Sequence, residues 1–180
     1  MKIINIIVKT GLCLLLLIFS TCRKEEPDDE MPPTTVVSRT IIVYMAADND
    51  LSDDAQENLK QMKQGYSETG ARLVVFVDRA GEEPSLLEVH PDKVLIVKSY
   101  PELNSATPAV LKKIIQEAVD LYPAREYGLI LWSHGSSWLP ANSGLRSFGN
   151  DSGTRMNIPD LAGSLPVKFR FILFDATIKH

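Results

Sequence analysis

The stretch EYGLILWSHGSSW, from Glu126 to Trp138, climbs through an apolar run and then stops on His134, Gly135 and two serines. A histidine has a reference pKa of about 6.5 and exchanges a proton around neutrality. At the end of a buried strand it projects into the crevice where open α/β sheets bind ligands. Gly135 lets the backbone approach a ligand closely, and its N–H can hold an oxyanion. Each feature also has a plainer use: a histidine at a strand end is more often a hydrogen-bonded structural residue, and a glycine there permits a turn. HGSS superficially suggests an oxyanion-hole loop, yet no G-x-S-x-G elbow accompanies it, which disfavours a serine hydrolase. The acids between Asp48 and Asp54 lack the glycine and terminal glutamate of an EF-hand loop, so no metal signature is present.

These residues need a scaffold, and from Thr40 onward short apolar runs alternate with helical patterns, which predicts βαβ units and a mostly parallel sheet. TIIVYMA is a uniformly apolar first strand, and Leu51, Ala55, Leu59 and Met62 follow at helical spacing. ARLVVFVD is a second strand. SLLEVH and KVLIVKS flank Pro91 and Asp92 as a hairpin at the sheet edge. A second helix opens at Thr107 with Pro108 in its first turn and buries Val110, Leu111, Ile114, Ile115, Ala118 and Val119. YGLILWS follows as a strand. After a polar segment from Gly135 to Arg155, a short helix is capped by Asn157, and KFRFILFDA is the last strand. Right-handed crossovers gather the loops after parallel strands at one sheet edge. That rim receives Asp48, Asn49, Asp50, Asp78, His134, Gly135 and Asp175, although caps and turns account for some of them equally well.

The remaining 1–39 is different in kind. Lys2 and Lys9 precede GLCLLLLIFSTC, an apolar run too short to span a bilayer comfortably, which reads as a secretory signal. Its end at Cys22 resembles a relaxed lipobox, so residues 1–22 are expected to be a lipoprotein signal with Cys22 lipidated. Residues 23–39, rich in acids and prolines, read as a tether, and the acidic cluster resembles the export signal of surface lipoproteins. Cys13 and Cys22 are the only cysteines, which leaves 40–180 without a thiol or a disulfide. A net charge of -4 gives no basic surface for nucleic acid. The expected location is the outer membrane or cell surface, with the membrane as a partner through the lipid.

IIVYMAADNDL, YGLILWSHGSSW, FGNDSG followed by MNIPDLAGSL, and FRFILFDA occur in the order and spacing of the clostripain family of cysteine peptidases, relatives of gingipains and caspases. From about Thr40 to Ala176 the chain resembles that family. The resemblance implies a caspase-like three-layer α/β sandwich, a His/Cys dyad, and cleavage of peptides or proteins after arginine or lysine. His134 matches the family histidine. Asp175 matches the acid that lines the pocket for a basic side chain, where a buried carboxylate pairs with the substrate cation. Arg146 and Arg155 are candidate self-processing sites, because the family matures by cutting in this region. No cofactor is expected, except that calcium, needed by some members, is possible by resemblance.

The chain departs from the pattern at Thr177, which stands in FDATIKH where the family has the cysteine of FDAC. A threonine hydroxyl is a poor nucleophile without an activating base, whereas a thiol is partly ionised near neutrality. The family also continues for a comparable length, with elements that complete the sheet and the pocket, so the expected sandwich in 40–180 is incomplete. The favoured reading is a clostripain-like endopeptidase homologue that is inactive as written. The alternative is a surface lipoprotein module that binds basic peptides without cleaving them.

Lipidation contributes about 0.8 kcal/mol of membrane affinity per buried methylene. Cys22→Ala is therefore expected to release the protein from membranes or to leave its precursor unprocessed. A variant that still fractionates with membranes at the parent's mass would refute the anchor.

Overall fold

The computed structural model describes residues 36–67, 70–136 and 146–178. The proposed signal, Cys22 and most of the tether lie outside the described residues. Among the described residues, eight strands and three helices follow one another as β1 (Val37–Ala47), α1 (Ser52–Gly65), β2 (Ala71–Arg79), β3 (Ser85–Val89), β4 (Val94–Ser99), α2 (Pro108–Leu121), β5 (Ala124–Gly135), β6 (Ser147–Asp151), β7 (Thr154–Asn157), α3 (Ile158–Ser164) and β8 (Phe171–Ile178). β1 lies between β2 and β5, parallel to both, and β8 runs parallel to β5 on its other side. The β3–β4 hairpin extends the β2 edge antiparallel, as the residues around Pro91 and Asp92 predict.

Strand alternation sorts the core into two layers. Ile42, Tyr44 and Ala46 of β1, with Val74, Phe76, Leu129 and Leu131, pack against Leu111, Ile114, Ile115 and Ala118 of α2 and Leu161 of α3. Val43, Met45 and Ala47, with Val75, Val77 and Trp132, pack against Leu51 and Ala55 on the α1 side. Full burial of a side chain such as Leu111 or Ile114 contributes about 1.5–3 kcal/mol. α2 starts where Thr107 accepts a hydrogen bond from the Val110 N–H and Pro108 occupies the first turn. α3 starts where Asn157 accepts from the Asp160 N–H at 2.8 Å.

The observed sheet corrects three expectations. β1 begins at Val37, so the segment expected to be tether up to Arg39 already belongs to the sheet. Val37 pairs with Ala124 of β5, the Ser38 hydroxyl donates to the Gly70 carbonyl at 2.5 Å, and Arg39 bridges Glu126 at 2.7 Å. These partners are distant in sequence and invisible in the local composition. The polar segment after Gly135 contains a second hairpin, β6–β7, whose turn places Ser152 at φ 49° and Gly153 at φ 82°. Consecutive positive φ values are the mark of tight hairpin turns, and the short strands lack the alternation that would have announced them. With this second hairpin the sheet is mixed rather than mostly parallel: β2, β1, β5 and β8 are parallel, and the two hairpins are antiparallel.

β8 has one strand neighbour among the described residues, β5. The ring of Phe171 lies over Gly128, where any Cβ would overlap it. Phe174 makes an edge contact with Phe148, their centroids 6.2 Å apart. Even so, Phe171, Ile172, Leu173 and Phe174 remain 39%, 42%, 51% and 47% exposed, on both faces of the strand. A contiguous apolar edge strand is a template for association. The 180-residue polypeptide is expected to bind a hydrophobic dye and to self-associate, both to a lesser degree after Leu173→Lys. A monomer at high concentration that binds no dye would contradict this.

Candidate active site

β5 ends by turning successive side chains to opposite faces. Ser133 points toward β1 and donates from its hydroxyl to the Ala46 carbonyl at 2.5 Å, which ties the ends of the two central strands. His134 follows on the face of Trp132 and is 4% exposed. Its Nε2 lies 2.7 Å from Oδ1 of Asp50, in the turn that leaves β1. Asn49 builds that turn: its Oδ1 accepts from the Leu51 N–H at 2.8 Å, and its Nδ2 donates to the carbonyls of Ala46 and, in β6, Asn150. The other ring nitrogen of His134, Nδ1, is buried without a hydrogen-bond partner.

The β5–β8 register sets Trp132 against Asp175, His134 against Thr177, and Gly135 against Ile178. In-register residues of neighbouring strands share a face, with the strands about 4.8 Å apart. The structure thus brings His134 and position 177 together, although they are far apart in sequence. An imidazole held at one nitrogen by a carboxylate and open at the other can take a proton from the residue beside it. Asp175 lies on the same face as His134 but is exposed, not buried as the family pattern implies, because no described element covers β8. At Gly135 a Cβ would sit 3.0 Å from that of Ala176, so glycine there permits the close approach of β5 and β8. Arg146 and Arg155 are both exposed. Arg146 precedes β6, and its carbonyl accepts from the Ile158 N–H at 3.1 Å, whereas Arg155 lies inside β7.

The acids that the sequence places on one rim separate into two groups. Asp50 belongs to His134. Asp78 is buried at the end of β2, on the opposite face, and neither of its oxygens meets a donor in hydrogen-bond geometry. Burial pushes its carboxyl up to about 7; the charges of Asp151, Asp48 and Glu102 push the same way, and the Ser105 hydroxyl opposes them. Asp48 is also raised, by burial and then by Asp151. Asp151 itself accepts from the N–H of Ser105 at 2.7 Å and from its hydroxyl at 3.2 Å, which anchors the loop before α2 to β6. Sequence reading missed Asp151 and Ser105. The described residues contain no group of three or more histidine, cysteine or acidic side chains arranged to hold a metal ion.

Asp78 makes the fold pH-dependent. Its unfolded-state value is near the ordinary 3.8, while the folded carboxyl keeps its proton up to about 7. The unfolded chain therefore gives up its proton first as pH rises, and stability falls across that interval. Asp78→Asn should flatten the contribution: between about pH 5 and about pH 8 the Tm of the variant should decline less than that of the parent. Identical slopes in thermal denaturation would exclude this role.

Comparison with known proteins places this geometry in a family. A model of the clostripain family, peptidase C11, matches residues 43–178. Clostripain of Hathewaya histolytica is 30% identical over an alignment covering 53% of this chain and 23% of that protein. Among solved structures, a secreted C11 cysteine protease from Bacteroides thetaiotaomicron, crystallised with an irreversible peptide inhibitor, is 39% identical with a TM-score of 0.65, over 78% of this chain and 42% of that one. An inactive zymogen C11 protease from Parabacteroides distasonis is 35% identical with a TM-score of 0.66, over 80% and 43%. The chain thus spans less than half the length of each of these relatives. With its family model matched from β1 to β8, the chain belongs to the clostripain family of cysteine peptidases.

Proposed function

We propose that this chain carries the histidine half of a clostripain-type site for cleavage after arginine or lysine, and that the 180-residue polypeptide does not itself hydrolyse peptides. The observation that carries the reading is the pairing of His134 with Thr177 across β5 and β8. The base stands beside the position of the nucleophile, and a hydroxyl occupies that position. A second requirement is also unmet among the described residues, since Asp175 lies open on the edge strand instead of at the base of a pocket. A carboxylate in water gains little from a substrate cation compared with one that is desolvated. Membrane attachment through Cys22 and display at the cell surface complete the proposal.

Arg146 and Arg155 are both proposed as processing sites. Cleavage at either requires local opening, because Arg155 lies within β7 and the Arg146 carbonyl accepts from the Ile158 N–H at 3.1 Å.

Hydrolysis of arginyl and lysyl peptides by the purified chain is expected to be undetectable. Thr177→Cys alone should not restore it, because small displacements of a catalytic group cost orders of magnitude in rate. Thr177→Cys joined to the carboxy-terminal remainder of a C11 relative should cleave after basic residues, mature at Arg146 or Arg155, and lose activity with His134→Ala. Binding of basic peptides without cleavage by the unaltered chain would favour the lipoprotein module. Activity of the unaltered chain that disappears with His134→Ala would overturn the inactive reading.

A further inference from the structure

We propose that Asp50 is the positioning carboxylate of His134, selecting the ring tautomer and stabilising the imidazolium that forms when Nδ1 accepts a proton. The proposal rests on the clostripain-type reading of the site. An ionised carboxylate offers acceptors only, so Nε2, 2.7 Å from Asp50 Oδ1, must be the nitrogen that carries the hydrogen. In the neutral ring Nδ1 is then a bare lone pair. That lone pair is buried and unpartnered on the residue that β5–β8 pairing sets beside position 177. Buried polar atoms are nearly always hydrogen-bonded, so an unmet acceptor at this position asks for a function.

The support for Asp50 is built rather than incidental. It comes from the β1–α1 turn, and the Asn49 side chain fixes that turn to β1 and to β6. The Asp50 side chain is 58% exposed while that of His134 is 5% exposed, so the pair joins the solvent edge of the rim to its buried end. With a thiol at position 177, the S–H bond would break, the proton would pass to Nδ1, and the thiolate would remain beside an imidazolium that faces Asp50.

The test uses the full chain with 15N-labelled histidine, read by long-range nitrogen–proton correlation, in the parent and in Asp50→Asn and Asp50→Glu. The parent should show His134 protonated at Nε2. Asp50→Asn, whose amide can donate to Nε2, should move part of the population to Nδ1–H, and Asp50→Glu should keep the parent tautomer. The second measurement places the three Asp50 forms in a Thr177→Cys background and follows alkylation of Cys at 177, resolved by peptide mass from that of Cys13 and Cys22. Asp50→Asn should slow alkylation near neutral pH by about tenfold or more, and Asp50→Glu should recover most of the rate. An unchanged tautomer, or a changed tautomer with an unchanged alkylation rate, would overturn the role of Asp50. His134→Ala in the same background reports separately on the site: if it leaves the alkylation rate unaltered, the histidine–position 177 pairing fails, whatever Asp50 does. Because Asp50 is largely exposed, the spectra of its variants also verify that the fold persists.

Discussion

The register between β5 and β8 is the constraint on which the site depends. Side chains alternate along a strand, so a slip of one residue would turn Thr177 to the opposite face and set Ala176 beside His134. Two contacts pin the register. Phe171 fills the space that Gly128 leaves open, and Ala176 approaches Gly135 so closely that another side chain there would have to displace it. Both glycines lie on β5, one near its middle and one at its end, and each is matched to a residue of β8. The juxtaposition of His134 with Thr177 thus rests on a packing device, two missing Cβ atoms.

The two faces of the sheet use carboxylates differently. On the α1 side, Asp50 reaches out of a solvent-facing turn to a buried imidazole, and the contact is one charged group against one ionisable group. On the α2 side, Asp78, Asp151 and Asp48 crowd where β1, β2 and β6 converge, and Asp151 is satisfied by the backbone and hydroxyl of Ser105. Burial and mutual repulsion keep Asp78 protonated toward neutrality. The first arrangement positions a proton acceptor. The second holds the loop between β4 and α2 against β6, with Tyr44 donating to the Ser105 carbonyl at 2.8 Å as a further tie.

Asymmetry between the two edges of the sheet matters for the reading of function. At the β2 edge, the antiparallel β3–β4 hairpin continues the ladder, and Leu86 and Val89 of β3 are buried. Beyond β5, β8 presents four large apolar residues, together with Thr177 and Asp175. His134, Thr177 and Asp175 all fall on the junction of β5 with β8, so the proposed site depends on that one pairing. The proposal of half a site rests on this junction, with His134 on one strand and Thr177 on the other.

Strand and helix types, the Thr107 and Asn157 caps, and the placement of His134 at a strand end were legible because each depends on local periodicity or on the chemistry of a single residue. The expected departure at Thr177 rests on the same kind of signal, a residue type at a motif position. The β6–β7 hairpin was not, since its strands are too short to show alternation, nor was the entry of Val37 into the sheet, since its partner is Ala124. The sequence placed Asp48, Asp50, Asp78 and Asp175 together on one rim. Tertiary structure alone separated them, giving Asp50 to His134, burying Asp78 beside Asp151, and leaving Asp175 in solvent. The reason is that a sequence carries the charge and period of each residue, whereas burial, partner and protonation state are set by which distant strand lies alongside.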